Sequence, residues 1–227
     1  MPSLTVVHRR RLREIWRSSG WPCQDMVEVE LLAAGWVERV RHGSGHETLR
    51  VTDAGVAVLA DTLACNRGAR VVHEALVERV AREMTRAGRL AWRGLALRAK
   101  VEDAWAIAMP DVFSIRHTTV EDYVEPVVHE IKVRRADLLA DLKRAAKRAA
   151  YLQLAGECWY VVREGIAEPA EIPPECGVMV AREAGGALEV VRPAPRRAAK
   201  LSLPVWMALA RATPVEGWQH DDSQAGL

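Results

Sequence analysis

Cysteine is scarce: the four cysteines, Cys23, Cys65, Cys158 and Cys176, lie far apart and form no C-x-x-C pair. That spacing argues against a zinc site or a disulfide framework. It favours free thiols in a reducing cytosol, so a cytoplasmic location is expected. No stretch approaches the ~18 consecutive apolar residues of a membrane-spanning helix. The N-terminus has no charged segment followed by an apolar run, so neither a signal peptide nor a membrane partner is expected. A large charge excess is absent too. The net charge is +2, so any affinity for nucleic acid has to come from local basic patches. Phenylalanine occurs once, against eight tryptophans. The histidines (His8, His42, His46, His73, His117, His129 and His220) form no ligand motif. Serine, cysteine and zinc hydrolase chemistry therefore find little support. No internal repeat is visible.

What is present fits an ordinary globule of one large domain or two small ones: 227 residues, 49% apolar and 27% charged. Apolar spacing predicts a helix over 7–19, with Leu12, Ile15 and Trp16 on one face, stopped by Gly20-Trp21-Pro22. A second helix is expected over 24–34, with Met26, Val29, Leu32 and Ala33 as its apolar side. A hairpin should join 36–40 to 47–51 across His42-Gly-Ser-Gly45. Thr52 or Asp53 caps a helix over 56–63. Cys65-Asn66-Arg67-Gly68 reads as the domain boundary, and a further helix is expected over 70–86. Residues 89–108 read as a strand or irregular arm. After it come strand patterns at 109–115, 127–133 and 158–163, and a hairpin over 177–181 and 188–191. One basic helix is expected over 136–154 and a short helix over 203–212. Residues 213–227 read as a flexible tail.

The chemistry-bearing stretch lies between Met109 and Tyr160. In Glu130-Ile131-Lys132 the strand period of two puts Glu130 and Lys132 on one face and Ile131 on the other. A hairpin across 117–125 would bring Asp111 beside Glu130. Two carboxylates on neighbouring strands suit a hard divalent cation such as Mg²⁺ or Mn²⁺, and the Ile131 carbonyl offers a third oxygen. A lysine two residues past the second acid can position water or stabilise a charged phosphoryl transition state.

Pro110-Asp111, 18 intervening residues and Glu130-x-Lys132 resemble the PD-(D/E)XK nuclease superfamily, the restriction-endonuclease-like fold. The continuation Val133-Arg-Arg-Ala-Asp137-Leu-Leu-Ala-Asp141-Leu is most similar to the MmcB-like group of bacterial DNA-repair proteins within it. The resemblance covers roughly residues 70–195. It implies an α/β fold with a mixed sheet flanked by helices and metal-dependent hydrolysis of DNA in repair or processing. Asp111, Glu130 and Lys132 would be the catalytic residues. Members often carry a glutamate on the first helix that reaches the metal, and Glu74 is the candidate here, with Glu78 as its alternative. The resemblance also places Asp137 and Asp141 near the catalytic strand; read from the helix alone, they favour its macrodipole.

Residues 4–64 resemble a winged-helix domain of bacterial regulators, with two rather than three helices before the wing. The second helix is acidic, so the wing is the DNA-contacting candidate through Arg39, Arg41 and Arg50. A protein-contact module or a merely solvated hairpin is the equal alternative. The domain reading is 1–66 winged-helix-like, 67–212 nuclease-like and 213–227 tail. Two further basic groups are candidate phosphate contacts or solvated faces: Lys143, Arg144, Lys147 and Arg148 on the basic helix, and Arg196, Arg197 and Lys200 downstream. DNA is the expected partner, and a homodimer is left open. The rival is a non-catalytic DNA-binding or regulatory protein on a nuclease-like scaffold.

Overall fold

A computed structural model describes residues 4–182 and 186–216. The chain falls into two compact units, Met1–Arg70 and Val71–Leu227. The first contains α1 (Val6–Arg17), α2 (Met26–Ala33), the antiparallel pair β1 (Val37–Arg41) and β2 (Glu47–Val51), and the start of α3 (Asp53–Arg86). Thr5 caps α1 by accepting from the His8 amide, and Asp25 caps α2 by accepting from the Glu28 amide. After α1 the chain turns at Gly20, where φ is +91° and a Cβ would sit 2.0 Å from the Leu49 carbonyl oxygen. Only glycine tolerates both conditions. Leu12, Ile15, Leu31, Val37, Leu49 and Leu59 form the core of this unit.

Two expectations fail here. Trp16 is 60% exposed, and Met26 and Val29 lie on the outer side of α2. The buried side of α2 is instead Glu28 and Leu31. Glu28 Oε2 accepts from the amides of Cys23 and Gln24 at 2.7 and 2.8 Å. Satisfying those donors ahead of the helix turns a carboxylate inward, which an apolar-spacing argument does not anticipate.

The second unit is mixed α/β. Its sheet has the order β10-β9-β8-β7-β6-β3. The strands are β3 (Arg89–Arg93), β6 (Val112–Arg116), β7 (Val127–Lys132), β8 (Glu157–Arg163), β9 (Gly177–Ala181) and β10 (Glu189–Arg192). β7 pairs antiparallel with β6 and parallel with β8. It is buried on both faces, as a central strand with a near-continuous apolar run should be. A separate ribbon, β4 (Leu97–Val101) and β5 (Ala104–Ala108), takes up most of the expected irregular arm. Leu76, Val77, Val80 and Ala81 of α3 share a core with Ile131, Val112 and Val161. The opposite sheet face, including Phe113, Val128 and Tyr160, packs with α4 (Arg135–Leu142), α5 (Ala145–Leu154), α6 (Leu203–Arg211) and the ribbon. Helices therefore flank a mixed sheet. Among the described residues no helix is long and apolar enough to cross a membrane.

Three boundaries differ from expectation. The single basic helix over 136–154 is two helices, broken at Lys143–Arg144. Part of the expected tail is tied down: the Val215 amide donates to the Ala91 carbonyl at 2.7 Å, on the outer side of β3. Residues 217–227, and residues 183–185 between the strands of the expected 177–181 and 188–191 hairpin, lie outside the described residues. The helix break expected at Asn66–Gly68 is also absent, because α3 runs unbroken through it as one helix of 34 residues, although the two compact units divide close by, at Arg70–Val71. One glycine costs a helix only about 1 kcal/mol, too little to stop a helix with good helix formers on both sides.

A Cβ at Gly68 would meet nothing within 4 Å. Gly68→Ala should therefore raise stability by about 0.5–1 kcal/mol, read from urea unfolding followed by circular dichroism. A loss of stability would contradict a helical Gly68.

Candidate functional site

Glu130, near the end of β7, is 3% exposed, and both of its carboxylate oxygens are engaged. Oε1 accepts from Lys147 Nζ at 2.5 Å and from Lys132 Nζ. Oε2 accepts from the Tyr151 hydroxyl at 2.8 Å. The Tyr151 hydroxyl also lies 3.0 Å from the Met109 carbonyl oxygen, its second available acceptor. Asp141, at the end of α4, completes the cluster. Its Oδ1 accepts from Lys147 at 2.7 Å and lies 3.7 Å from Lys132 Nζ, and its Oδ2 accepts from Tyr160 at 2.9 Å. Two carboxylates and two ammonium groups thus meet below the sheet face that carries Glu130 and Lys132.

The break between α4 and α5 makes this meeting possible. Residues six apart on one straight helix are turned roughly 120° from each other, so Asp141 and Lys147 would diverge. At the break Arg144 leaves helical geometry (φ −93°, ψ 68°), and its amide donates to the Asp141 carbonyl at 2.8 Å. Lys147 is then aimed back toward β7.

The charges stabilise one another. Burial works against the Lys147 ammonium, but the Glu130 and Asp141 carboxylates outweigh it and hold its pKa above the ordinary lysine value. Burial would likewise raise Asp141. Its bond from Lys147, the Lys132 charge and the Tyr160 hydroxyl bring it below the ordinary carboxylate range. The Tyr151 phenol is driven far up by burial, by Glu130 and then by the Asp111 and Asp141 charges, so it stays protonated as a donor. Three carboxylates act on that one hydroxyl.

Asp111 stands one residue before β6. Strand pairing reaches Val112 opposite His129, and beyond it Asp111 Oδ2 accepts from the Ile131 amide at 2.7 Å. His73 Nε2, from α3, lies 3.5 Å from the same oxygen. The hydrogen bond to Asp111 is the main cause of a raised His73 pKa. His73, Glu74, Glu78, Arg93, Gly94 and Asp111 are among the residues lining a cleft of about 740 Å³. Glu74 is exposed and lies 3.7 Å from His73 Nδ1. Ile131 takes part through its amide, as a donor to Asp111; its side chain is fully buried. Among the described residues, no group of three or more His, Cys, Asp or Glu side chains is arranged to hold a metal. His129 points into the opposite core, where burial and then the Arg89 charge depress it to about 3, and it stays neutral.

The candidate phosphate contacts fare unevenly. Lys147 and Arg148 do not line a solvated flank: Lys147 joins the buried cluster and Arg148 Nε donates to Glu175 at 2.9 Å. Arg39, Arg41 and Arg50 all face acids of the first unit, Arg41 meeting Glu47 at 2.8 Å and Arg50 meeting Glu38. Arg196 meets Glu157 at 2.9 Å, Arg197 donates to the Glu175 carbonyl at 3.0 Å and Lys200 lies 3.6 Å from Asp122. Lys143 and Arg144 are exposed at the α4–α5 break.

Sequence reasoning passed over His73, Tyr151 and Tyr160 and gave Lys147 a different role. The one available signal was the Lys147–Tyr151 spacing of four, which puts both side chains on one side of a helix. No protein-family model, curated protein or solved structure matches the chain.

Lys147→Met removes one of two cations from two buried carboxylates. It should cost about 3 kcal/mol in urea unfolding, as breaking a buried pair does. A change within about 0.5 kcal/mol, normal for a solvated surface residue, would rule out the buried role.

Proposed function

We propose that the protein is a divalent-cation-dependent nuclease that hydrolyses DNA phosphodiesters in repair or processing. In this reading the second unit is of the restriction-endonuclease-like PD-(D/E)XK type, similar to MmcB-like proteins, and the first is winged-helix-like. One observation carries it. Glu130 and Lys132 share a face of β7 in direct contact, and Asp111 of the adjoining strand is bonded to the amide of the residue between them. The order α1, α2, β1–β2, α3 supports the winged-helix comparison.

The donor set suits Mg²⁺ or Mn²⁺, hard cations that take oxygen ligands. Asp111 meets Ile131 and His73 through a single oxygen, Oδ2. Asp111 and Glu130 would hold the cation, Glu130 giving up its contact with Lys132 alone, and Glu74 lies on the Asp111 cleft. When bound, such a cation supplies Lewis acidity toward a phosphodiester. The protein's own groups do the rest. Lys132 orients water and stabilises negative charge growing on the phosphoryl oxygens. Lys147, held by Asp141, keeps Glu130 compensated while Lys132 moves toward substrate. Tyr151 retains its phenolic proton and fixes the Glu130 carboxylate. Water adds across the P–O bond, leaving a phosphate monoester and a free hydroxyl.

A second reading has its own support. Both Glu130 oxygens are already engaged, and no three-ligand cluster occurs among the described residues. A non-catalytic DNA-binding or regulatory protein would need nothing more.

Cleavage of single-stranded, duplex, flap and junction DNA in Mg²⁺ or Mn²⁺ separates the two. Lys132→Ala should lower the rate about 10²- to 10³-fold, as losing one transition-state stabiliser does, with DNA affinity nearly unchanged. No cleavage by the wild type, or equal cleavage by Lys132→Ala, would favour the non-catalytic reading.

A further inference from the structure

The β4–β5 ribbon has two unlike faces. Leu97, Ala99 and Ala108 are buried in the core shared with α5 and α6. The other face presents Arg98 opposite Ile107 and Lys100 opposite Trp105. Trp105 is 59% exposed and Ile107 72%. Met109 continues the row at the same spacing of two and is also exposed. It directly precedes Pro110-Asp111, and its carbonyl faces the Tyr151 hydroxyl that holds Glu130. An exposed apolar row flanked by cations therefore leads along the chain into the candidate site.

We propose that this face is a subsite for an unpaired stretch of DNA, with Trp105 stacking on a base and Arg98, Lys100 and Lys200 meeting phosphates. The proposal rests on the nuclease reading and narrows its substrate to DNA with single-stranded character. Single-strand sites combine a positive groove with aromatic side chains, because every unpaired base offers a π-face. In a duplex those faces are covered by neighbouring bases. A cleft of about 270 Å³ beside the ribbon is lined by Arg98, Lys100, Trp105, Gln153, Lys200 and Ser202, among others. Its cations have only weak competitors. Lys100 lies 3.3 Å from Asp103 and Lys200 lies 3.6 Å from Asp122, and both acids are largely in solvent. Exposed pairs of this kind contribute little and exchange readily for phosphate oxygens. A protein partner would match the apolar row but not the three cations.

The test is fluorescence anisotropy with the full chain, using labelled oligodeoxythymidine and a labelled duplex, without divalent metal so that cleavage does not interfere. Trp105→Ala should weaken single-strand binding about tenfold or more and leave duplex binding within about twofold. Trp105→Phe should retain most of the affinity. Arg98→Ala and Lys100→Ala should each lower the salt slope by about 0.7. Unchanged single-strand affinity in Trp105→Ala, an equal loss on duplex, or no single-strand binding by the wild type would overturn the subsite. Trp105-dependent single-strand binding without cleavage in Mg²⁺ or Mn²⁺ would overturn the nuclease reading and leave the subsite standing. Lys132-dependent cleavage of duplex with no Trp105 effect would do the reverse.

Discussion

The buried contact between the Glu130 carboxylate and the ammonium groups of Lys132 and Lys147 is what the second unit is arranged to satisfy. Burying an ion costs several kcal/mol unless its partners come with it. Glu130 lies near the end of a strand buried on both faces, so its own strand supplies one partner and the rest have to be delivered by other elements. Lys132 comes from the same strand face, and Tyr151 and Lys147 come from α5. Asp141 and Tyr160 hold Lys147 and Asp141 in turn. Remove the break between α4 and α5 and Asp141 turns away from Lys147, leaving charges without partners.

In the nuclease reading, the same arrangement would serve chemistry at a phosphodiester. Asp141 is held ionised and Lys147 protonated beside Glu130. Asp111 stands apart from this quartet, fixed by the Ile131 amide and flanked by His73 on an open cleft. One part of the site is internally saturated and the other faces solvent. In the nuclease reading, Asp111 and Glu130 are the carboxylates that would hold the cation, and Lys132 is the group that would be released toward substrate.

Much of this was legible in the residues where one local rule decides. The period of two assigned Glu130 and Lys132 to one face and Ile131 to the core. The Gly-containing loop marked the β1–β2 hairpin, and Thr52 marked the start of α3. Local rules failed where a distant partner decides. Nothing in Leu142-Lys-Arg-Ala145 is a glycine or proline, so the α4–α5 break is unmarked; it places Lys147 against two carboxylates that periodicity cannot see. Gly68 looked like a helix end because glycine often is one, yet its neighbours carry the helix through, and the two units divide within the continuous helix just after it. On α2 Glu28 faces inward while Met26 and Val29 face out, because two amides ahead of the helix take Glu28 as their acceptor. His73 and Tyr151 carried no motif of their own. They became site residues only when α3 and α5 packed on opposite faces of the sheet.

The claim at the centre is that Asp111 and Glu130 hold one divalent cation between them. Calorimetric titration of Mn²⁺ into the full chain, with Asp111→Asn and Glu130→Gln beside it, tests this without any substrate. The expected result is one bound cation in the wild type and affinity lower by more than about tenfold in each variant. A wild type that binds no cation, or variants that bind it equally well, would contradict the claim.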